Sequence, residues 1–342
     1  MHTQKPASTK MTPNGHLAKK LFVLLTAILI VAALSACGKN NDKNAASPTA
    51  SASNSPSASP SASPSASAET ATGTITYQSE NGPIEVPANP QRVVVLSSYT
   101  GNVLDLGVPL VGVESWSKSN PNFQEQLKDV QEVSDENLEK IIELQPDLII
   151  GLSTIKNVDR LKQIAPTVTY TYGKVDYLTQ HVEIGKALNK EKEAQAWVDD
   201  FKKRAQELGD QIKAKIGSDK TVSVIENYEK QLYVFGDNWG RGTEILYQAM
   251  KLPMPAKVSE MTKKDGYYAL SQEVLPDYAG DYVIFSKNPD ADSSFQQTDT
   301  YKNIPAVKDN HLFEVNAKAF YFNDPISLEY QLEFFKQKFL GN

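Results

Sequence analysis

A single long helical pattern, running from about Lys190 to Ile216, separates two similar stretches of this sequence. Its apolar residues recur at spacings of three and four and leave a charged opposite face: Ala194, Val198, Phe201, Ala205, Leu208, Ile212 and Ile216. About 26 residues at about 1.5 Å each make a helix of roughly 39 Å, which is long for one domain. We interpret it as a rigid strut between two lobes. The alternative, a solvent-facing helix of one large domain, is disfavoured because a second α/β pattern follows directly.

Short apolar runs alternate with helical or polar stretches on both sides of the strut, which is typical of α/β lobes with mainly parallel sheets. Before the strut, the predicted strands are Arg92–Leu96, Leu110–Val113, Leu148–Ile150 and Thr167–Tyr170, with a helix over Leu138–Leu144 that Asn137 caps. After it, strands are predicted with helices between them: Thr221–Ile225, Gln231–Phe235, Tyr282–Phe285 and Leu312–Val315. An amphipathic helix over about Pro325 to Leu340 closes the chain. The predicted bounds are 74–173 for the first lobe, 174–217 for the linking helical segment and 218–342 for the second lobe.

The first 36 residues have the order of a secretory signal peptide: scattered lysines, the apolar run Leu21–Leu34, and small residues before Cys37. The run has about 14 residues, whereas a membrane-spanning helix needs roughly 20, so an ordinary transmembrane anchor is disfavoured. Cys37 is the only cysteine of the sequence and lies at the cleavage position. Leu34–Cys37 resembles the bacterial lipobox, in which the thiol receives a diacylglycerol and two acyl chains give a stable anchor. The alternative is a chance cysteine near a signal sequence.

A stretch of Ser, Ala and Pro, from Ala45 to Ala68, follows the cysteine. It has too little apolar bulk to offset its ordering entropy, so residues 37–73 are predicted to form a disordered tether behind the lipidated cysteine. Removal of residues 1–36 deletes four lysines and no acid, which takes the formal net charge from −6 to −10. A chain this acidic, without a basic run, argues against a nucleic-acid partner.

The two lobes share a short internal repeat. Glu139, in the first turn of a predicted helix, precedes Asp147 at the start of a predicted strand by eight residues, and Glu273 precedes Asp281 by the same spacing. One such match is weak, but two at corresponding places of similar lobes indicate a pseudo-repeat.

Taken together, seven segments resemble the iron–siderophore substrate-binding lipoproteins of ABC importers, a family related to the vitamin B12-binding proteins. The resemblance covers roughly Gly73 to Leu340 and rests on Arg92–Tyr99, Leu106–Val113, Asn137–Ile150, Ile164–Val168, Gly240–Leu246, Ile304–Lys308 and Asn323–Leu328. It implies two α/β lobes bridged by one long helix, a ligand cleft between the lobes, and little closure on ligand. It also implies that Glu139 and Glu273 dock to arginines of the two permease subunits. The plainer alternative is that the helix dipole alone favours a glutamate in a first turn, by about 0.3–1 kcal/mol.

Little in the sequence points to metal ligation or catalysis. His2 and His16 lie in the signal segment, and His181 and His311 are far apart and lack metal-site spacing. This argues against the related carriers of bare zinc or manganese. Neither a G-x-S-x-G nor a G-x-x-x-x-G-K-[ST] motif occurs, so an anchored hydrolase is the least favoured alternative. We expect no enzyme activity and no cofactor of the protein's own, with iron(III) carried inside the siderophore.

The segment Tyr233–Glu244 combines a strand, a glycine-rich turn and a helix start. Its side chains are predicted at the carboxyl end of a strand, where open α/β sheets bind ligands; the alternative is a capped turn whose tryptophan packs in the core. The segment resembles that of hydroxamate-siderophore binders, in which an arginine bonds the iron-bound hydroxamate oxygens and aromatic residues line the site. The resemblance thus assigns ligand contact to Arg241, Trp239 and Tyr233. An Arg241→Ala change is expected to weaken binding and to leave folding almost unaltered.

Further candidates for ligand contact lie on loops after predicted strands: Tyr99, Trp116 and Tyr321. Each of them is equally compatible with a place in the core or at the rim. The number of cations on these loops indicates which ligand charge the site suits. They are few: Arg241 and, as further candidates, Lys118 or Lys156. A trianionic ferric catecholate calls for several basic residues, whereas a ferric hydroxamate is close to neutral. A hydroxamate is therefore the first choice, ahead of catecholate or citrate-type chelates, with vitamin B12 or haem as outside alternatives.

The predicted protein is a monomeric receptor on the outer face of the cytoplasmic membrane of a monoderm bacterium. Its partners would be the ferric siderophore, an ABC permease dimer with its ATPase, and the membrane through the lipid anchor.

Overall fold

A computed structural model describes residues 73–341 of the chain. The predicted signal peptide, Cys37 and the predicted tether up to residue 72 lie outside the described residues. Among residues 73–341, no helix is both long enough and apolar enough to cross a membrane.

The first sheet has five strands in the order β5-β4-β3-β6-β7, and all of its pairings are parallel. An antiparallel hairpin of β1 and β2 precedes it. The strands are β1 Thr74–Ser79, β2 Gly82–Pro87, β3 Val93–Leu96, β4 Leu110–Val113, β5 Gln131–Glu132, β6 Leu148–Leu152 and β7 Thr167–Tyr170. The four strands predicted before the strut are confirmed. They are mostly buried, including the two threonines of β7, because helices cover both faces of a parallel sheet.

The second sheet also has five strands, in the order β10-β9-β8-β11-β12. These are β8 Val222–Tyr228, β9 Gln231–Phe235, β10 Tyr267–Leu270, β11 Tyr282–Lys287 and β12 Leu312–Asn316. Pairings of β8 with β11 and of β11 with β12 are parallel, whereas β9 runs antiparallel to both β8 and β10. Two of the four pairings are therefore parallel and two are antiparallel. The prediction of a mainly parallel sheet is confirmed for the first lobe, whereas the second sheet is mixed, because β9 runs against the other four strands.

The expectation of helices between the strands of this lobe is wrong for β8 and β9. Only Glu229 and Lys230 separate them, and a parallel crossover needs a dozen or more residues. Glu229 takes a left-handed φ of 53°, as a tight hairpin turn demands.

Helix α6, Glu191–Ile216, is the predicted strut, and its 26 residues follow the last strand of the first sheet and precede the second sheet. The helix predicted near residue 138 is α3, Leu138–Glu143. The side chain of Asn137 caps it by accepting a hydrogen bond from Lys140 N. The remaining helices are α1 Thr100–Asp105, α2 Ser115–Ser119, α4 Val158–Leu161, α5 Tyr177–Ala187, α7 Ala256–Thr262, α8 Asp299–Lys302, α9 Pro305–Lys308, α10 Ala317–Phe320 and α11 Pro325–Leu340. Short 3₁₀ segments cover Pro121–Phe123, Gln272–Asp277 and Ser294–Gln297, and a π-helical turn covers Glu244–Ala249.

One continuous apolar core joins the inner faces of the two sheets through α6 and α11. Separate cores cover the outer face of each sheet. The closing helix α11 packs against α1 of the first lobe as well as against α6. At this contact Gly101 leaves no room for a side chain, because a Cβ there would lie 1.9 Å from Asp324 Oδ1.

The internal repeat has a structural counterpart in both lobes. The Asp147 carboxylate accepts hydrogen bonds from the Gln91 and Arg92 amides at the start of β3. The Asp281 carboxylate accepts from the amide and the hydroxyl of Thr221 at the start of β8. Each aspartate thus fixes the start of its own strand, β6 or β11, to the start of the central parallel strand beside it.

Candidate functional site

A cavity of about 600 Å³ lies between the two lobes. The first sheet contributes residues from the carboxyl end of every strand, where parallel strands place their ligand-binding loops. The second lobe contributes the turn after β9 and the segment after α10. The lining residues are Leu96, Ser97, Ser98, Glu114, Trp116, Ser134, Asp135, Leu152, Tyr172, Trp239, Arg241, Tyr321 and Phe322.

The turn after β9 reaches this cavity by a route different from the one that the sequence predicted. Because β9 is antiparallel to β8, its carboxyl end points away from the carboxyl ends of the parallel strands. The chain returns through three successive left-handed residues, Gly240, Arg241 and Gly242, with φ of 66°, 59° and 84°. A Cβ on Gly240 would lie 2.2 Å from Tyr321 O, and the Arg241 amide donates to Phe320 O at 2.6 Å. Glycine and backbone pairing together let the turn present Arg241 to the cavity.

The Arg241 guanidinium is held by a buried carboxylate. Its Nε donates to Glu226 Oε2 at 3.1 Å and its Nη2 donates to Glu226 Oε1 at 3.0 Å, while Nη1 donates to Trp239 O at 2.9 Å. Glu226 is 0% exposed and also accepts from Ser286 Oγ at 2.6 Å. Within residues 73–341, three of the five N–H bonds of the guanidinium therefore have acceptors, and two remain for a ligand.

Aromatic rings cover the guanidinium. Its Cζ lies 4.7 Å from the ring centroid of Phe235 and 4.7 Å from that of Tyr321, within range of cation–π attraction. Tyr321 in turn meets Trp116 of the first lobe edge to face at 4.7 Å between centroids. The stack of Phe235, Arg241, Tyr321 and Trp116 therefore extends from one lobe to the other.

Trp239 forms a second aromatic contact between the lobes. Its indole Nε1 donates to Asp265 O at 3.0 Å, and the ring lies against Gly266, where a Cβ would be 2.1 Å from Nε1. The ring centroid is 5.0 Å from Tyr267 and 6.1 Å from Tyr172 of the first lobe. It is 36% exposed, so the tryptophan is a wall of the cavity and not a core residue.

Tyr233 and Tyr99 lie away from the main cavity. Tyr233 lines a smaller cavity of about 260 Å³, which shares Trp116, Trp239 and Arg241 with the main one. Tyr99 is 5% exposed and borders a separate polar cavity of about 410 Å³. Burial raises the pKa of its hydroxyl well above the usual range, and its ring packs edge to face on Tyr170. Tyr99 is thus largely a core residue, whereas Trp116, Tyr321, Trp239 and Arg241 meet at one cavity.

Three residues of the site were missed by the sequence interpretation. Glu226 lies one residue beyond the predicted strand Thr221–Ile225, in the part of β8 that was not predicted, and Tyr267 lies on a strand that was not predicted. Tyr172 follows β7 by two residues, so it carries the same signal, an aromatic on a loop after a strand, that identified Trp116. It is 48% exposed and lines the main cavity.

Lys118 and Lys156, considered as further cations for the ligand, do not line the cavity. The Lys118 ammonium donates to Leu127 O at 2.6 Å, and Lys156 pairs with Glu136 at the surface. Arg241 is accordingly the one cation among the described residues that line the main cavity.

The two histidines of the described region serve packing. His181 is buried, with Nε2 3.4 Å from Asp105 Oδ2 and the ring edge-on to Trp197, and His311 stacks on Tyr282. Among residues 73–341, no group of three or more His, Cys, Asp or Glu side chains could hold a metal ion.

Glu139 and Glu273 occupy equivalent exposed positions. Glu139 lies in the first turn of α3, ahead of β6, and Glu273 lies in the first turn of the 3₁₀ segment ahead of β11. Both strands occupy the same place beside the central strand of their sheet. Cys37 lies outside the described residues.

Known proteins are similar to this chain over most of its length. The sequence profile described as "Periplasmic binding protein" matches residues 93–319. The iron(3+)-hydroxamate-binding protein FhuD of Bacillus subtilis is 36% identical over 327 residues, which cover 93% of this chain and 97% of that protein. The iron(3+)-hydroxamate-binding protein YxeB of the same organism is 37% identical, over 92% of this chain and 95% of that protein.

Solved structures of similar proteins have the same fold as this chain. The FhuD protein from S. pseudintermedius superposes with a TM-score of 0.71 at 36% identity, covering 79% of this chain and 99% of that one. FhuD2 from Staphylococcus aureus with bound ferrioxamine B gives a TM-score of 0.70 at 35% identity, covering 74% of this chain and 99% of that one. The likeness therefore extends over nearly the whole length of each neighbour.

Proposed function

The chain belongs to the periplasmic binding protein family, and on this premise we propose that it captures a ferric hydroxamate siderophore outside the cytoplasm and delivers it to an ABC importer. The proposal is supported by relatives named as iron(3+)-hydroxamate-binding proteins and by a neighbour with bound ferrioxamine B. The protein acts by binding and release, and it is not an enzyme.

The observation that carries the proposal is the free edge of Arg241 inside an aromatic-walled cavity. A hydroxamate chelator fills the coordination sphere of iron(III) itself, so the receptor needs donors for the iron-bound oxygens and not metal ligands. Arg241 has two N–H bonds left for those oxygens, and Trp116, Trp239 and Tyr321 offer apolar walls for the organic shell. A rigid, pre-oriented fork loses little entropy on binding.

Delivery requires a surface that the permease can recognise. We assign this to Glu139 and Glu273, which are exposed and occupy equivalent positions in the two lobes. A permease dimer with two-fold symmetry would offer one arginine to each of them. Exposed pairs of this kind are weak and mainly set orientation and encounter rate, which suits a contact that forms and breaks in each cycle.

We propose further that the mature protein starts at Cys37, is lipidated there, and stays on the outer face of the cytoplasmic membrane as a monomer. Residues 37–73 would serve as the tether, 74–173 and 218–342 as the lobes, and 174–217 as the link. The test is incorporation of labelled palmitate, which is expected in the wild type and lost in Cys37→Ser. Label retained by the Cys37→Ser protein would refute the anchor.

The proposed ligand class is tested by titrating the purified soluble domain with ferric hydroxamates, a ferric catecholate, ferric citrate, cobalamin and haem while tryptophan fluorescence is recorded. Trp116 and Trp239 line the cavity, whereas Trp197 stacks on Phe201 and donates to Glu329. Quenching by hydroxamates should therefore persist in Trp197→Phe and diminish in Trp239→Phe. Tighter binding of any other class in the panel would refute the hydroxamate assignment.

A further inference from the structure

The cation of the binding cavity carries its own counter-ion. Glu226 is 0% exposed, and both of its carboxylate oxygens accept hydrogen bonds from the Arg241 guanidinium, at 3.1 and 3.0 Å. The Arg241 side chain is only 16% exposed, so water screens this pair poorly. Seen from the cavity, the pair is close to neutral although its free edge donates hydrogen bonds.

Other charged groups around the cavity do not restore a positive field. Glu114 and Asp135 line it together with Arg241, and burial raises the pKa of Glu114. Both oxygens of Glu114 are already used within its own loop, where they accept from the Trp116 and Ser117 amides. The described lining therefore ranges from neutral to acidic.

From this geometry we infer that Glu226 is a specificity-determining residue, which cancels the charge of Arg241 and restricts the site to ferric chelates of zero or positive net charge. The inference rests on the proposed function and refines it. Glu226 also positions the guanidinium, since a bidentate pair fixes the plane of the fork that Phe235 and Tyr321 cover. An anionic chelate would gain hydrogen bonds from Arg241 but would meet the buried carboxylate behind it.

The experiment compares affinities for an uncharged trihydroxamate (ferrichrome), a cationic one (ferrioxamine B) and a trianionic ferric tricatecholate. The proteins are the wild type, Glu226→Gln, Arg241→Gln and the double variant. Ratios of Kd between ligands are the readout, because a general loss of positioning cancels in them. A change of one charge beside a poorly screened ligand is expected to alter such a ratio by at least about tenfold.

Glu226→Gln should shift the ratio towards the tricatecholate, and Arg241→Gln should shift it towards ferrioxamine B. The double variant should bind all ligands more weakly with ratios like those of the wild type, because the pair is again neutral. Ratios that stay constant in both single variants would overturn the inference and leave Glu226 with a purely structural role.

Two safeguards keep the test decisive. If Glu226→Gln fails to fold, Arg241→Gln against the double variant still measures the effect of the buried charge on the ratios. If the wild type binds no hydroxamate but binds another chelate class, the proposed function fails, whereas the same charge ratios measured on that class still decide the role of Glu226.

Discussion

Tyr172 Oη donates a hydrogen bond of 3.0 Å to the backbone oxygen of Asn238, which joins the loop after β7 in one lobe to the turn after β9 in the other. The Tyr172 ring also contacts Trp239, at 6.1 Å between centroids. This contact spans the mouth between the main cavity and its polar neighbour, since Tyr172 lines both. It is a direct link between the lobes at the border of the two cavities.

We predict that Tyr172→Phe weakens chelate binding by about 0.5–1.5 kcal/mol, the net contribution of one hydrogen bond. The ring and its contact with Trp239 remain, so only the hydrogen bond between the lobes is lost. Fluorescence titration measures the effect. Tyr268→Phe is the matched control, because Tyr268 is similarly exposed and stacks on Tyr278 away from the cavities. Equal affinity of both variants would show that the link does not hold the bound arrangement.

The structure alters the expected outcome of removing Arg241. From the sequence, Arg241→Ala should weaken binding and spare folding. The buried Glu226 leads us to revise the second half of that expectation, since its carboxylate would lose its partner. We predict a loss of about 3–5 kcal/mol in unfolding free energy, the usual effect of breaking a buried pair, besides about 1.5–3 kcal/mol in hydroxamate affinity.

Urea denaturation of Arg241→Gln and of Glu226→Gln/Arg241→Gln tests this stability effect. The double variant should recover much of the loss, because it leaves no unpaired charge. A double variant that is as unstable as Arg241→Gln would show that packing, and not the buried charge, accounts for the loss.

The turn that carries Arg241 gives a prediction with an internal control. Gly240 and Gly107 have nearly the same left-handed φ, 66° and 68°, but their surroundings differ: a Cβ added to Gly240 would lie 2.2 Å from a backbone oxygen, whereas one added to Gly107 would have nothing within 4 Å. Gly107→Ala should therefore cost about 1–2 kcal/mol for left-handed strain alone. Gly240→Ala should cost more and should also lower chelate affinity, because the Tyr321 carbonyl must move. Similar stability losses, measured by urea denaturation, with unchanged affinity would contradict this.

Much of the fold could be predicted from sequence because its signals are local. The strut α6 and the closing helix α11 match their predicted ranges closely, since apolar spacing over many turns is a strong signal. Strand β9 was predicted, but its antiparallel direction was missed, although only residues 226–230 separate the two predicted strands and a parallel crossover needs a dozen or more. Glu226 could not be assigned, because a glutamate in a strand reveals nothing about an arginine 15 residues further on. Tyr172 could have been predicted as a site residue, because it follows a predicted strand.

Asp324 gives a prediction about pH. Burial raises the pKa of its carboxyl from 3.8 to about 6, at the N-cap of α11 where Ser327 N donates to it. The folded state therefore holds this proton more tightly than the unfolded state, so the contribution of Asp324 to stability is present below about pH 4 and is lost as pH rises to about 6. Asp324→Asn should remove that loss and keep a capping oxygen.

The measurement is urea denaturation of the wild type and Asp324→Asn at several pH values between 4 and 8. Relative to the wild type, the variant should gain stability as pH rises from about 4 to about 6, by at most about 3 kcal/mol. Other carboxyls, such as Asp281 with its pKa lowered to about 2, cancel in the difference. A difference that does not change with pH would show that Asp324 is not the titrating group.

The last prediction separates binding from delivery. If Glu139 and Glu273 each meet an arginine of one permease subunit, removal of one should slow iron uptake partially and removal of both should slow it far more. Each exposed pair contributes only about 0.2–1 kcal/mol, so the two together set the orientation of the docked protein. Chelate affinity in solution should not change, because neither residue lines the described cavities.

Uptake by cells and fluorescence titration of the same proteins form the paired measurement for Glu139→Ala, Glu273→Ala and the double variant. Glu143→Ala and Glu260→Ala are the controls, since both glutamates are exposed, and Glu143 lies on α3 with Glu139. Normal import by the double variant would show that the two glutamates do not dock to the permease and only stabilise the starts of their helices. A loss of chelate affinity would mean that they act on the cleft and not on the permease. Slow import with unchanged affinity, absent from both controls, is the result that docking explains, because the controls remove the same side chain from other exposed positions, Glu143 from the same helix.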